Sequence, residues 1–298
     1  MAGKLTISID LELAWGVWDH LTPAHLRFAE SAERPICAGL IELLDRHRVP
    51  ATWAIVAALL DEPSVLARPG PKACWFAPDI IDRLLNNRAG HEIGSHSGRH
   101  IYFDTASLDD ARADLEFAKS IHHAHGLAFE SFVFPRAQAG HLEAVAAVGL
   151  KVFNGGDAGG WVESARQLGR HAGQVANLAD KMLPICPPSA SPERCGELIH
   201  IPKSMLLMGR NGPRRWILPV ITRSKLRAGL RAAAESGGIF HLWFHPSNFY
   251  FRRDEQLATL DWFLAHAANE AAHGRIELRT MGSYAREPAC GVPDVPHG

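Results

Sequence analysis

The sequence predicts an α/β protein in which a largely parallel sheet closes, or nearly closes, into a distorted barrel of the (β/α)7 type within a single domain. Three observations predict it. Short apolar, β-rich runs alternate with segments of helical period along the chain. Roughly seven such units follow one another with no composition break or linker. No G-x-G-x-x-G follows the first strand, so the alternative of an open, doubly wound dinucleotide-binding sheet lacks its main support.

Leu5–Ile9 reads as a buried strand ending in polar groups. Pro35–His47 has helical spacing, Ala51–Ala57 is strand-like, Pro78–Asn87 is helical and Glu92–Ser95 is a short strand. Ser107–His125 opens with a serine followed by Asp109 and Asp110, an N-cap with acidic first-turn residues. Strand Ser131–Phe134, helix His141–Val148 and strand Lys151–Phe153 come next. After a less regular middle, Leu198–Ile201, Thr222–Ser236, Ile239–Phe244 and Asp254–His273 resume strand, helix, strand, helix. Gly155–Gly160 and Cys186–Glu193 read as loops rather than linkers.

Composition narrows the function classes. The chain has 298 residues, 47% of them apolar, enough to bury a sizeable core without staples. Its 31 Lys+Arg against 32 Asp+Glu argue against a nucleic-acid binder that relies on a basic face. Five widely spaced cysteines with no C-x-x-C read as reduced structural thiols. No run approaches the roughly 20 apolar residues that span a bilayer, and MAGKLTISID enters a strand without a leader-like stretch. The expectation is a cytoplasmic protein with no transmembrane segment; its oligomeric state is not legible.

In a β/α barrel, chemistry sits where strands end. The first strand ends in Asp10-Leu11-Glu12, the third in His96-Ser97-Gly98-Arg99-His100, the fourth in Pro135-Arg136-Ala137-Gln138 and the last clear one in His241 to Pro246. His96 and His100 are four apart, which on one turn of helix puts both imidazoles on one face for a metal. His241 and His245 repeat the spacing across a strand end, where they need not face together. With 17 histidines in the chain, packed structural histidines explain either isolated pair equally well. Asp10 and Glu12, two apart on a strand, point to one side, and such carboxylates need a cation or shared proton between them unless solvent covers the strand end. A His-His-carboxylate set leaves positions on a divalent ion open for water and substrate, and a second carboxylate can take the water's proton.

Taken in order, Asp-x-Glu after strand one, H-[ST]-x-x-H after strand three, an arginine-bearing turn after strand four and a late L-x-x-H resemble the polysaccharide deacetylases, the chitooligosaccharide-deacetylase homology group or carbohydrate esterase family four. The segments IDLELAWGVWD, HEIGSHSGRH, FVFPRAQ, HLWFHPSNF and LRTMG carry the resemblance from Ile7 to about Tyr284. It implies one catalytic domain over residues 1–298, with a core at about 5–284, and a metal-dependent hydrolase that removes N-acetyl groups from amino sugars. Carried over, it makes Asp10 the general base, Glu12, His96 and His100 the metal ligands, Arg136 the residue orienting the base and His245 the general acid. The ion is one divalent metal, zinc first, with cobalt, nickel, iron or manganese as alternatives. A backbone N–H after Arg136 would help to bind the oxyanion. Asp157 would pair with His245, while Trp15, Trp161 and Trp243 would line the sugar pocket.

The chain departs from the pattern in three places. Leu11 separates what are usually two adjacent aspartates, which leaves open whether Asp10 or Glu12 is the carboxylate ligand. F-P-R-A-Q stands for R-P-P-Y, and Trp243 stands where a leucine usually forms the acetyl pocket, so the acyl group can differ. The expected substrate is an amino-sugar precursor of a surface polysaccharide, free, nucleotide-linked or lipid-linked. Arg210, Arg214 and Arg215 among the apolar residues of Ser204–Val220 offer phosphate partners for such a carrier. Two alternatives remain: an amidohydrolase of a small non-sugar amide or cyclic ureide, and a non-catalytic barrel that binds a glycan or partner.

Overall fold

Alternation along the first strand organises the molecule. In the computed structural model, which describes residues 1–158, 180 and 183–286, β1 (Gly3–Leu11) buries Ile7, Ile9 and Leu11 in the outer apolar layer. Its other face, Thr6, Ser8 and Asp10, is buried and polar. The strand β9 (Ile239–Phe244) does the same: Phe240, Leu242 and Phe244 join that outer layer with Leu226, Leu230, Leu260 and Phe263 of the covering helices. Each such side chain contributes roughly 1.5–3 kcal/mol by burial, which fixes the pleat and sends the polar residues inward. There Thr6 Oγ1 lies 2.9 Å from the Tyr284 hydroxyl, and Ser8 Oγ lies 2.9 Å from His241 Nε2.

The remaining strands are β2 (Thr52–Ile55), β3 (Glu92–Ser95), β4 (Ser131–Val133), β5 (Val152–Asn154), β6 (Glu193–Cys195), β7 (Leu198–His200), β8 (Met205–Leu206) and β10 (Ile276–Arg279). They form one sheet in the order β6-β7-β5-β4-β3-β2-β1-β9-β8, with β10 also on β1. Every pairing is parallel except β6 with β7. The run from β7 into β8 closes the ring. Ile201 and Lys203 donate to Phe153 and Gly156 on the β5 side, and Ser204 and Leu207 donate to His241 and Trp243 on the β9 side. The expected distorted (β/α)7 barrel is therefore what the chain forms. The distortion has a cause: β1 pairs with β10 over Gly3–Thr6 but with β2 over Ser8–Leu11, so β10 wedges the two apart at their lower end.

Helices Arg34–His47, Pro78–Leu85, Leu108–Ala124, Leu142–Ala147, Pro219–Ser236 and Arg253–Ala272 cover the sheet. Ser107 caps its helix as expected, accepting from the Asp110 N–H at 3.1 Å. The helix expected from Thr222 begins at Pro219, because a proline at the first helical position needs no N–H partner. Strand β10 and the π-turn Ala29–Glu33 after the short helix Pro23–Phe28 were not anticipated.

Candidate active site at the strand ends

Register brings the first pair together. β1 and β9 align Ile9 with Phe244, so Asp10 and His245 come next, and His245 Nε2 lies 3.8 Å from Asp10 Oδ2. Glu12 follows the strand and turns its carboxylate back over Gly16, where any Cβ would overlap it. His96 follows β3 directly, and its Nδ1 lies 2.8 Å from the Val133 carbonyl. His100 reaches the same place through a loop. The expectation of one helical turn is corrected here: Ser97 and His100 both have left-handed backbones, at φ 75 and 59. Asp114 of the helix Leu108–Ala124 holds that loop, accepting from Ser97 Oγ at 2.8 Å, Gly98 N at 2.6 Å and Arg99 N at 2.8 Å.

The product is a tight cluster. Glu12 Oε1 lies 2.9 Å from His96 Nε2, 3.1 Å from His100 Nε2 and 3.4 Å from His245 Nε2. Because His96 donates its Nδ1 proton to Val133, its neutral ring turns a lone pair, not a proton, toward the Glu12 oxygen. Lone pairs facing at that distance require a cation between them or an added proton. Donor atoms sharing one ion at ~2.1 Å each stand ~3 Å apart, which these do. The donor set Glu12, His96 and His100 thus fits a divalent ion, and Asp10, Glu12 and His245 form an overlapping set.

Burial alone would raise Glu12, yet the charges of His245 and His100 and their hydrogen bonds hold its carboxyl well below the usual range. Burial presses His245 down, but Glu12 first and then Asp10 outweigh it and lift the imidazole to about 9. His241 behaves in the opposite way. Burial, reinforced by the Lys203 charge, lowers it to about 3, and it sits in the polar interior between Ser8 and Asn154. The second histidine pair therefore divides into one structural residue and one site residue.

Other expected site residues fall elsewhere. Arg136 does not pair with Asp10: left-handed backbone at Arg136 and Ala137 turns it outward, where its Nη2 lies 3.0 Å from Asp19 and its guanidinium lies 4.1 Å from the Tyr102 ring centre. The N–H groups of Ala137 and Gln138 already close turns onto Phe134 and Pro135, so they are not free oxyanion donors. Asp157 is exposed and makes no ion pair with His245. Trp15 is fully buried, donates its Nε1 proton to the Trp75 carbonyl and packs edge-on against Trp75, so it belongs to the core rather than the pocket. Trp243 does stand beside the site, 5.7 Å from the His245 ring. Trp161 lies outside the described residues.

Sequence reasoning missed three groups. Asp114 interrupts the apolar stripe Ala111, Leu115, Ala118, and an acid on a buried helix face was a readable signal. Lys203, only 1% exposed, lies with its ammonium 4.0 Å from the centre of the Trp243 ring. Glu33, at the end of the π-turn, is 3% exposed; burial and then the Glu12 charge push its carboxyl up to about 8.

A β/α barrel with histidines and carboxylates gathered at the C-terminal ends of its strands has the layout of a barrel hydrolase. Residues 25–152 match the polysaccharide deacetylase family model. The match includes His96 and His100. A comparison with curated proteins finds no match. Among solved structures, a Mycobacterium smegmatis protein assigned to the polysaccharide deacetylases superposes with a TM-score of 0.63 at 17% identity, covering 96% of this chain and 90% of its own. A Pseudomonas aeruginosa PAO1 protein of the same assignment gives 0.59 at 15%, covering 95% and 90%. The PuuE allantoinase gives the same 0.59 and 15%, with the same coverage. At these identities the likeness is one of fold.

Proposed function

We propose that the protein is a metal-dependent hydrolase that removes an N-acetyl or other small N-acyl group from an amino sugar. The observation that carries this is the meeting of Asp10, Glu12, His96, His100 and His245 at the ends of three strands, with lone pairs converging on one point. Glu12, His96 and His100 would hold one divalent ion, zinc by preference, which when bound supplies Lewis acidity to the acyl carbonyl and the water.

The chain's own groups divide the proton work. Asp10 accepts the proton of the attacking water as its oxygen bonds to the acyl carbon. His245, 3.8 Å from Asp10, delivers a proton to the nitrogen as the C–N bond breaks, leaving a carboxylate and an amine. Trp243 shapes the acyl side of the pocket, and Arg136 with Asp19 and Tyr102 forms its rim.

The substrate we propose is a cytoplasmic precursor of a surface polysaccharide carried on a nucleotide or lipid. The turn Gly212–Trp216, which follows β8 in the chain, exposes Arg214, Arg215 and Trp216, and a carrier phosphate would meet these arginines. No helix among the described residues is long and apolar enough to cross a membrane. A small amide or cyclic ureide is the second reading, favoured by the fold shared with the allantoinase.

Elemental analysis of the purified and zinc-reconstituted protein, beside His96→Ala, is the test. About one ion per chain, lost in the variant, is expected; no metal in the reconstituted wild type would overturn the reading. Competition between N-acyl sugars and ureides for the loaded protein then separates the two substrate classes.

A further inference from the structure

Charge is unevenly spread along this nearly neutral chain. Residues 198–234 contain eight Lys and Arg and no Asp or Glu. Three of the eight, Lys203, Arg210 and Lys225, are buried; the others lie on the turn Gly212–Trp216 and along the helix Pro219–Ser236. The acids next to this surface are already engaged: Asp254 meets Arg253 at 3.6 Å, Glu255 meets Arg252 at 3.2 Å and Glu235 meets Arg231 at 3.3 Å. Arg214 and Arg215 are exposed and have no acidic partner among the described residues. A surface of one sign draws an anionic partner.

The same segment carries large apolar side chains that the fold leaves uncovered. Trp216, Leu218 and Val220 are 66%, 58% and 65% exposed, although Ile217 between them is buried. The Arg215 guanidinium lies 5.0 Å from the centre of the Trp216 ring. A second exposed pair, Tyr250 and Phe251, has its rings 4.9 Å apart and is followed by Arg252 and Arg253, also exposed. Buried polar side chains fasten the two segments together. Arg210 donates from Nε to Gln256 Oε1 and from Nη2 to Thr222 Oγ1, each at 3.3 Å. Gln256 Nε2 in turn donates to the carbonyls of Met208 at 2.9 Å and Asn248 at 3.1 Å. The parallel strands β8 and β9 lead into these segments at the end of the barrel that carries His245.

We propose that this face docks on an anionic lipid bilayer. Trp216, Leu218 and Val220 enter the headgroup region and the arginines meet lipid phosphates, which brings the strand-end site next to the membrane surface. A bilayer interface suits this mixture, because aromatic rings settle at headgroup depth while arginines bury their stems and keep their charges among phosphates. A protein partner instead needs about 800 Å² of continuous surface on each side with a dry apolar centre; here arginines precede Trp216 and follow Phe251 directly in the chain. Each arginine at an anionic surface tightens binding roughly fivefold. Docking selects lipid over nucleotide as the carrier in the proposed function, but the binding itself does not depend on the hydrolase reading.

The test is flotation of the full chain with vesicles of phosphatidylcholine, alone and mixed with phosphatidylglycerol. The protein is expected to float with the mixed vesicles, to stay behind with the neutral ones, and to be released by high salt. Arg214→Gln with Arg215→Gln is expected to weaken binding roughly 30-fold, and Trp216→Ser with Leu218→Ser roughly tenfold or more. Leu85→Ser is the control: Leu85 is 55% exposed but ends the helix that leads into the start of β3, at the other end of the barrel, and its loss should change nothing. Urea midpoints show that each variant is folded; should the Trp216 and Leu218 pair fail to fold, the arginine pair decides.

Absence of wild-type flotation with the mixed vesicles overturns the proposal, as does equal binding to neutral vesicles or an arginine pair that binds like wild type. A dimer in solution that Trp216→Ser with Leu218→Ser dissociates, without vesicle binding by the wild type, gives the face to a second copy and overturns it too. Flotation needs neither substrate nor turnover, so docking can fail while the hydrolase reading stands, and the hydrolase reading can fail while docking stands.

Discussion

Replacing Glu33 with Gln should stabilise the protein in alkaline but not in acid solution. Glu33 is 3% exposed, and its burial, with the Glu12 charge next, pushes the carboxyl from the ordinary 4.5 up to about 8. The unfolded chain releases this proton above pH 4.5, whereas the folded chain keeps it until about 8. Between those values the folded state binds more protons, so its stability falls as pH rises, by about 1.4 kcal/mol per unit. The full window corresponds to roughly 3–5 kcal/mol, lost by pH 8 and absent below 4.5. Gln is nearly isosteric with the neutral acid and does not titrate. Urea unfolding followed by tryptophan fluorescence should show wild type and Glu33→Gln close together at pH 5. At pH 8.5 the variant should be ahead by several kcal/mol. Parallel stabilities across that range would show that Glu33 is ionised in the fold, and that the acid has a partner which its position on the π-turn does not reveal.

Three further outcomes follow from the same geometry. Gly16→Ala places a methyl where the Glu12 carboxylate lies, so zinc affinity measured by competition with a chelator should fall about 10–100-fold while the fold survives. Asp114→Ala removes the acceptor of three loop hydrogen bonds and should cost ~2–4 kcal/mol in urea unfolding, with weakened metal binding because His100 loses its support. Asp10→Asn should retain the ion and lose turnover by roughly 100-fold or more, whereas His96→Ala loses both; retained turnover in purified Asp10→Asn would refute the assigned base.

What the sequence could reveal was local. The runs Ile239–Phe244 and Glu92–Ser95 appear with the expected bounds because apolar strands end abruptly in polar residues. Asp10, Glu12, His96, His100 and His245 were legible because strand ends in a barrel converge on one face. β10 was hidden because Ile276–Arg279 is short and only Ile276 is fully buried, against the lower half of β1. The His96–His100 spacing suggested a helical turn because the same separation also fits a loop with two left-handed residues, and only the distant Asp114 decides between them. Trp15 looked like a sugar-stacking face; its neighbour Trp75, remote in sequence, makes it core. Lys203 and Glu33 were invisible for a related reason: each is defined by charges on other strands and turns.

The unusual spacing of the first motif follows from the pleat. On a strand, adjacent residues face opposite sides, so two neighbouring acids on β1 would put one carboxylate into the helix layer unless the strand ended between them. Here Leu11 takes that outward place and is fully buried, while Asp10 remains inside. Glu12 then leaves the strand, with φ −120 and ψ −31, and the extra methylene together with the open space at Gly16 lets its carboxylate return to the two histidines. The two carboxylates lie at different depths. Glu12 meets all three imidazoles, while Asp10 lies below with one oxygen toward His245 and the other without a hydrogen-bond partner among the described residues. Asp-x-Glu is thus a pattern in which strand alternation sets two carboxylates at different depths, provided that position 16 carries no side chain.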